Sequence, residues 1–342
     1  MSDKVRVVLC GCGGISRAWL NPAQQMADVD IVGLVDLRED AAKQRQTEYK
    51  LTGARTGTDL ATMLKELKPD AVWDCTIPEA HCQVTLTALA HGCHVMGEKP
   101  LADSMDNARK MVAAAKAAGK IYSVIQNRRY SNTIRSLRAF LDSGRIGALT
   151  TVNCDFYIGA HFGGFRDSMK HVLLLDMAIH TFDAARLISG ADPVAVYCQE
   201  WNPAGSWYDH DASAIAIFEM SNGIVYTYRG SWCAEGVNTT WECDWRIIGQ
   251  KGGVTWDGAN AFKAQAVTAT GKFFSDKEDL TVPVTEFGPK SGSHGGLLRE
   301  FINCVKNGGT PETICTDNIK SLAMVFGAVE SATTGRKVQI KI

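Results

Sequence analysis

The sequence lacks both a charge excess and a long apolar run. Its 36 Lys and Arg residues nearly balance 37 Asp and Glu residues, which leaves a formal net charge of −1. We therefore predict no surface for nucleic acid or anionic membranes. No stretch approaches the ~18 apolar residues of a membrane-spanning helix, so no membrane contact is predicted. A chain of 342 residues with 45% hydrophobic residues is long enough for two domains, each with its own core.

Cysteine pairs and metal-ligand spacings are also missing. The eleven cysteines are scattered and odd in number, and the chain enters its first predicted strand without a signal peptide. We therefore expect reduced, buried thiols and a cytoplasmic location. Cys10 and Cys12 flank Gly11, which is not the spacing of a redox C-x-x-C pair. His91 and His94 have no second ligand pair nearby, so no metal is expected.

What the sequence does contain, near its start, is a buried strand followed by a glycine-rich turn. Val5–Cys10 is predominantly apolar and β-branched, and Gly11-Cys12-Gly13-Gly14-Ile15-Ser16 follows. The turn matches G-x-G-x-x-G with Ser16 at the third glycine position. Glycines let a pyrophosphate approach the backbone at a helix N-terminus, where free N–H groups favour negative charge. Dinucleotide binding is therefore predicted at this turn.

An acidic residue follows the second predicted strand. Ile31–Val35 ends at Asp36, roughly 20 residues beyond the glycines, where dinucleotide folds place a carboxylate for the adenosine ribose. A carboxylate repels a 2′-phosphate, so Asp36 favours NAD, whereas the nearby Arg38 keeps NADP as an alternative. Asp36 also has a plain structural interpretation, as the cap of a helix beginning near Glu39.

Strands and helices alternate up to about residue 125, which predicts a parallel Rossmann sheet in a domain of residues 1–126. Further strands are predicted at 70–75, 94–97 and 121–125, and residues 52–58 are expected to be irregular. Ligands bind at the carboxyl ends of such strands. This rule brings the candidate cofactor-binding residues to one surface: Gly11, Cys12, Gly13, Gly14, Ile15, Ser16, Asp36, Arg38, Thr76, Ile77, Pro78, His81, Glu98, Lys99 and Gln126.

Two of these residues have competing interpretations. Lys99, next to Pro100, would lie rigidly over the nucleotide crevice, but a solvated ion pair with Glu98 explains its position equally well. Thr76 either touches the ribose or phosphate, or simply caps the helix that follows.

Residues 127–342 have a different pattern, which predicts an α+β domain. Strand-like runs at 149–158, 194–201, 212–220, 224–232 and 241–248 follow one another mostly without helices between them. They predict a large open sheet that is mostly antiparallel. Helices are predicted at 131–142, 170–188, 296–306 and 317–334. Because the outer face of an open sheet needs covering, we expect a homodimer or homotetramer joined through it.

The helix at 170–188 carries a second constellation. Asp176 and His180 are four residues apart and share one face of an otherwise apolar helix. A carboxylate and an imidazole in apolar surroundings need partners or a task. A core histidine hydrogen-bonded to an acid is the alternative.

Four sequence features together resemble the Gfo/Idh/MocA oxidoreductases: the glycine turn, Glu98-Lys99-Pro100, Asp176-x-x-x-His180 and the Gly144–Gly147 turn. The resemblance covers nearly the whole chain. It implies a Rossmann domain, an α+β domain with an open sheet, and a nicotinamide at the crevice between them. It also implies a sugar, polyol or inositol as substrate, and catalytic roles for Lys99, Asp176 and His180. The family usually has glycines before this Asp, where the chain has His171–Leu175, which suggests a distinct subgroup.

Residue chemistry suits oxidation of a secondary alcohol. His180 is the expected general base, Lys99 would stabilise the developing alkoxide, and Asp176 would orient the imidazole or bind a hydroxyl. The residues expected to bind substrate are these three with Arg129, Tyr130, His161, Phe165 and Arg166. The loop at 161–166 is equally well explained as a structural hairpin tip. Two other functions stay open, an NAD-dependent glycosidase of the same family and a non-catalytic cofactor-binding sensor.

Overall fold

The computed structural model describes residues 4–342, and the chain divides into two compact units. The first unit comprises the chain up to Tyr130 together with Gly288–Leu322. The second unit comprises Ser131–Phe287 and Ala323–Ile342. None of the helices in the described residues is both long and apolar enough to span a membrane.

The first unit is built on a parallel sheet of six strands in the order β3-β2-β1-β4-β5-β6, which confirms the predicted Rossmann class. The strands are β1 Val5–Cys10, β2 Val29–Val35, β3 Arg55–Gly57, β4 Ala71–Asp74, β5 His94–Gly97 and β6 Tyr122–Val124. The helices between them are α1 Ser16–Ala23, α2 Glu39–Glu48, α3 Leu60–Leu67, α4 Pro78–Ala90 and α5 Met105–Ala118.

The second unit is built on a sheet of nine strands in the order β14-β13-β12-β11-β7-β10-β9-β8-β15. Among the described strands, β7 and β10 pair in parallel and the other neighbours are antiparallel, as expected of a mostly antiparallel sheet. The strands are β7 Leu149–Tyr157, β8 Pro193–Trp201, β9 Ser213–Met220, β10 Val225–Ser231, β11 Asp244–Gly249, β12 Gly252–Trp256, β13 Phe262–Ala269, β14 Asp276–Leu280 and β15 Val338–Gln339. The remaining helices of the chain are α6 Asn132–Asp142, α7 Ile179–Ser189, α8 His294–Asn307 and α9 Cys315–Thr334.

Three features differ from the sequence expectation. The stretch expected to be irregular contains β3, which has only three residues and pairs with β2 from Gly33 onward, too short for a period-two pattern. The helix expected from residue 170 begins instead as a π-helical turn, Leu173–Ala178, that continues into α7. Helix α8 lies in the first unit, because Leu297, Leu298, Phe301 and Ile302 join its core.

One face of the nine-stranded sheet is covered by α7. Phe182 of α7 lies edge-on to Phe218 and Tyr228 of the sheet at centroid distances of 4.8 and 5.3 Å. This packing buries the aromatic side chains of the strands and fixes the helix that carries Asp176 and His180 against the sheet.

Candidate active site

The glycine turn after β1 requires glycine at one position and leaves open space at two others. Gly11 has φ +93°, and a Cβ atom there would lie 2.6 Å from the backbone of Cys75. Gly13 and Gly14 would place a Cβ with no neighbouring atom of the described residues within 4 Å. Because these two glycines lie just before the N-terminus of α1, the turn forms a cradle that fits a pyrophosphate.

Ser16 at the third glycine position braces this turn. Its buried hydroxyl donates a hydrogen bond to the Gly13 carbonyl at 2.6 Å and accepts one from Arg45 Nε at 2.9 Å. Arg45 Nη2 also donates to the Gly13 carbonyl at 3.1 Å. The departure from glycine therefore adds support to the cradle without filling it.

Asp36 lies against the same turn. Its carboxylate accepts hydrogen bonds from the backbone N–H of Cys12 at 2.8 Å and of Arg38 at 2.9 Å. The helix that follows begins at Glu39, with Arg38 rather than Asp36 at its N-cap. Asp36 is therefore not the N-cap of this helix. Its carboxylate is instead held beside the glycine turn.

The end of β4 carries a hydrogen-bonded triad that the sequence analysis did not assemble. Asp74 accepts from both the backbone N–H and the hydroxyl of Thr76, at 3.0 and 2.5 Å, and bonds His81 Nδ1 at 2.8 Å. Burial disfavours the charged imidazole, but the charge and hydrogen bond of Asp74 outweigh it and raise the pKa of His81. The sequence signal for this triad is Asp74 itself, an acidic residue at the end of a buried strand.

His81 is only 1% exposed, which corrects the expectation that it touches the cofactor. It lies beneath Thr76 and holds Asp74. Thr76 and Pro78 are partly exposed at the carboxyl edge of the sheet, and Ile77 is exposed.

The Glu98-Lys99-Pro100 segment follows β5. Glu98 is buried, its Oε1 accepts a hydrogen bond from Trp19 Nε1 at 2.7 Å, and burial raises the pKa of its carboxyl group. Its other oxygen accepts the backbone N–H of Lys99 at 3.2 Å. The Lys99–Pro100 bond is cis. Glu98 thus anchors the segment from inside, while Lys99 stays partly exposed at the strand end.

Three residues predicted to touch ligands lie instead in the interior of the first unit. Gln126 is 1% exposed. Arg129 forms ion pairs with Glu312 and Asp317 at 3.9 and 3.5 Å. Tyr130 is fully buried and donates to Glu300. The structure therefore gives Arg129 and Tyr130 a packing role in place of the predicted substrate contact.

In the second unit, Arg166 forms an ion pair with Asp176, the carboxylate that was predicted to be catalytic. Its Nε and Nη2 donate to Asp176 at 2.9 and 3.3 Å, a two-point ion pair. The guanidinium also lies over the rings of Phe162 and Phe165 at 4.9 and 4.8 Å. Arg166 is therefore engaged with Asp176, and its predicted contact with the substrate stays a prediction.

The loop before Arg166 is held by aromatic contacts. His161 stacks on Trp207 at a centroid distance of 3.7 Å and bonds Glu235 at 2.8 Å. Trp232 is 1% exposed and packs against Phe156, so it belongs to the core. Phe165, by contrast, is 68% exposed.

Among residues 4–342, no group of three His, Cys, Asp or Glu side chains is arranged to hold a metal ion.

The comparisons with known proteins agree with this geometry. A family model described as the oxidoreductase family with an NAD-binding Rossmann fold matches residues 5–126, and a model of the GFO/IDH/MocA C-terminal domain matches residues 134–255. The chain belongs to the GFO/IDH/MocA oxidoreductase family. The prediction of an NAD cofactor is thereby confirmed, whereas the role of the glycine turn in binding it stays a prediction.

Relatives of this family member align over almost its whole length. D-glucoside 3-dehydrogenase from Escherichia coli is 29% identical over 99% of this chain and 98% of that protein. 1,5-Anhydro-D-fructose reductase from Ensifer adhaerens is 23% identical over 97% and 98%. An Agrobacterium radiobacter oxidoreductase, solved in complex with NAD+, L-tartaric acid and magnesium, has the same fold with a TM-score of 0.85, 21% identity and 98% coverage of both chains.

Two alanine substitutions separate the two properties of the glycine turn. Gly11→Ala should destabilise the protein by roughly 1–3 kcal/mol or more, because alanine meets both the positive φ and the Cys75 backbone. Gly13→Ala should leave stability nearly unchanged but weaken NADH binding at least about tenfold, because its methyl group occupies the cradle. Thermal unfolding and NADH fluorescence titration measure the two effects. Full NADH affinity in a folded Gly13→Ala variant would contradict the cradle.

Proposed function

We propose that this oxidoreductase interconverts a hydroxyl and a carbonyl carbon of a sugar, polyol or inositol, with NAD as the hydride acceptor or donor. The observation that carries the proposal is the ion pair of Arg166 with Asp176, whose π-helical turn continues into the helix of His180, together with the glycine turn in the first unit. Two relatives that align over nearly the whole chain are named as a sugar-derivative dehydrogenase and a sugar-derivative reductase, which supports the substrate class.

NAD is proposed over NADP because of the fixed charge of Asp36. The open glycine turn would hold the pyrophosphate, and Asp36 would accept hydrogen bonds from the ribose hydroxyls. When bound, the nicotinamide ring supplies the hydride chemistry. Lys99, from the end of β5, is proposed to donate a hydrogen bond to the reacting oxygen and to stabilise its negative charge.

His180 is proposed as the group that takes the hydroxyl proton, since an imidazole titrates near the working pH. Asp176, held in place by its two-point contact with Arg166, is proposed to hold the substrate or the imidazole in a fixed orientation. Arg166 therefore acts through Asp176 as a positioning residue.

Assembly and compartment are further parts of the proposal. On the face of the nine-stranded sheet opposite α7, four apolar side chains of the adjacent strands β8, β9 and β10 are each 39% to 44% exposed. They are Tyr197, Ile215, Ile217 and Val225. Tyr197 and Ile217 are partners across β8 and β9, and exposed apolar side chains on a sheet face favour association with a second copy, as a homodimer or homotetramer. All eleven cysteines are free thiols, which supports a reducing cytoplasm.

A substrate screen tests the central proposal. Aldoses, polyols, inositols, sugar acids and p-nitrophenyl glycosides are incubated with NAD or NADP, and the absorbances of the reduced nicotinamide and of released nitrophenol are followed. We expect reduction with at least one neutral member and release of free NADH. NADH binding with no turnover of any member would contradict the dehydrogenase and favour the sensor, whereas hydrolysis of a glycoside without free NADH would favour the glycosidase.

Asp36→Asn tests the cofactor assignment. The amide oxygen can still accept the Cys12 N–H, but the charge that repels a 2′-phosphate is gone. The ratio of kcat/KM for NADP to that for NAD should rise about tenfold or more. An unchanged ratio would remove Asp36 from the assignment.

His180→Ala tests the general base. Turnover should fall by about 10²- to 10⁴-fold, while NADH affinity, which depends on the first unit, should be retained. His91→Ala is the matched control, because His91 is exposed just after the C-terminal end of α4, the opposite end of that helix from Ile77 and Pro78. Wild-type turnover in His180→Ala would exclude the role.

A further inference from the structure

A second imidazole, His171, precedes the helix of Asp176 and His180 in a backbone conformation that a histidine rarely adopts. Its φ is +54°, in the left-handed region where a Cβ atom is unfavourable. Such conformations are strained, and they persist where the surroundings fix them, often at ligand sites. The carbonyl of His171 accepts the N–H of Leu175 at 2.9 Å, an α-type hydrogen bond, so the strained residue lies at the start of the helical segment that leads into the π-helical turn.

A buried carboxylate holds this imidazole. His171 Nδ1 lies 2.6 Å from Glu200 Oε2, and the Glu200 side chain is 2% exposed whereas that of His171 is 28% exposed. Hydrogen bonding to Glu200 raises the pKa of His171 against the effect of its burial. With Nδ1 committed to Glu200, Nε2 is the nitrogen that remains for a ligand, which is the arrangement by which a carboxylate fixes a functional histidine.

The charges around the pair favour a neutral ligand. The His171 imidazole lies 2.6 Å from a Glu200 oxygen, and Arg166 lies 2.9 Å from an Asp176 oxygen. Asp211 and Lys170, which also act on His171, have opposite charges. Because the imidazole and the guanidinium each already face a carboxylate, a sugar acid would bring further negative charge to carboxylates, whereas hydroxyl groups can donate and accept hydrogen bonds there.

We propose that His171, fixed by Glu200, is a specificity-determining residue that binds one hydroxyl group of a neutral polyhydroxy substrate. The inference rests on the proposed dehydrogenase function and deepens it, because it adds a contact at a hydroxyl other than the reacting one. Glu200 acts through His171 as a positioning residue. The strain at His171 is then the structural cost of placing an imidazole where a glycine would be relaxed.

His171→Asn and Glu200→Gln test the pair in kinetics. Asparagine tolerates the left-handed conformation better than most residues, so the variant should fold. The probe is whichever of D-glucose, D-xylose and myo-inositol the wild type turns over with the highest kcat/KM, together with its monodeoxy analogues. His171→Asn should lower kcat/KM for this probe by about 10- to 100-fold, mainly through KM, with NADH affinity unchanged. Glu200→Gln should give a smaller loss in the same direction.

The monodeoxy analogues distinguish recognition from general damage. For one analogue, lacking the recognised hydroxyl, wild type and His171→Asn should have nearly equal kcat/KM. His91→Asn, at an exposed position on α4, should match the wild type throughout. An equal loss for all analogues, or no loss for any, would overturn the role of His171 and leave the proposed function intact. If the wild type turns over none of the three probes, the neutral-substrate assignment fails, and this inference fails with it.

Discussion

The first unit depends on the close approach of Gly11 to the backbone of Cys75. No side chain fits between the ends of β1 and β4, so the two strand ends are held side by side at the carboxyl edge of the sheet. The cradle of Gly13 and Gly14 follows from one strand, and the Asp74–Thr76 hydrogen bonds follow from the other. One steric constraint thus places the glycine-turn backbone and its neighbouring polar groups together at the carboxyl ends of the strands. Rossmann folds bind their ligands at this edge.

The second unit depends on a charge contact in the same way. Arg166 joins a loop to the π-helical turn through Asp176, and the aromatic rings of Phe162 and Phe165 cover the guanidinium. A carboxylate held by two donors is fixed in orientation. This is what a group that orients a substrate or an imidazole requires, and it commits two guanidinium nitrogens of Arg166 to Asp176.

Much of the fold could be predicted from the sequence, because β1 and β4 are short, almost continuously buried apolar runs and α5 has clear end signals, Ser104 and Gly119. The three-residue β3 could not, because it is too short for any pattern. Burial of Arg129 and Tyr130 was also beyond the sequence, since their partners Glu300, Glu312 and Asp317 lie about 170 to 190 residues further along the chain and no local pattern joins them. The roles of Lys99, Asp176 and His180 stay predictions.

The two units contain the same chemical pair with different consequences. In each, a buried carboxylate bonds a histidine Nδ1, at 2.8 Å for Asp74–His81 and 2.6 Å for Glu200–His171. His81 is 1% exposed in a relaxed helix, so its pair stabilises the end of β4 and has no surface left for a ligand. His171 is 28% exposed and strained. A strained residue that served packing alone would be replaced at little cost by one that relieves the strain. Exposure and strain together therefore distinguish His171, which we propose as a ligand contact, from His81, which only supports its strand end.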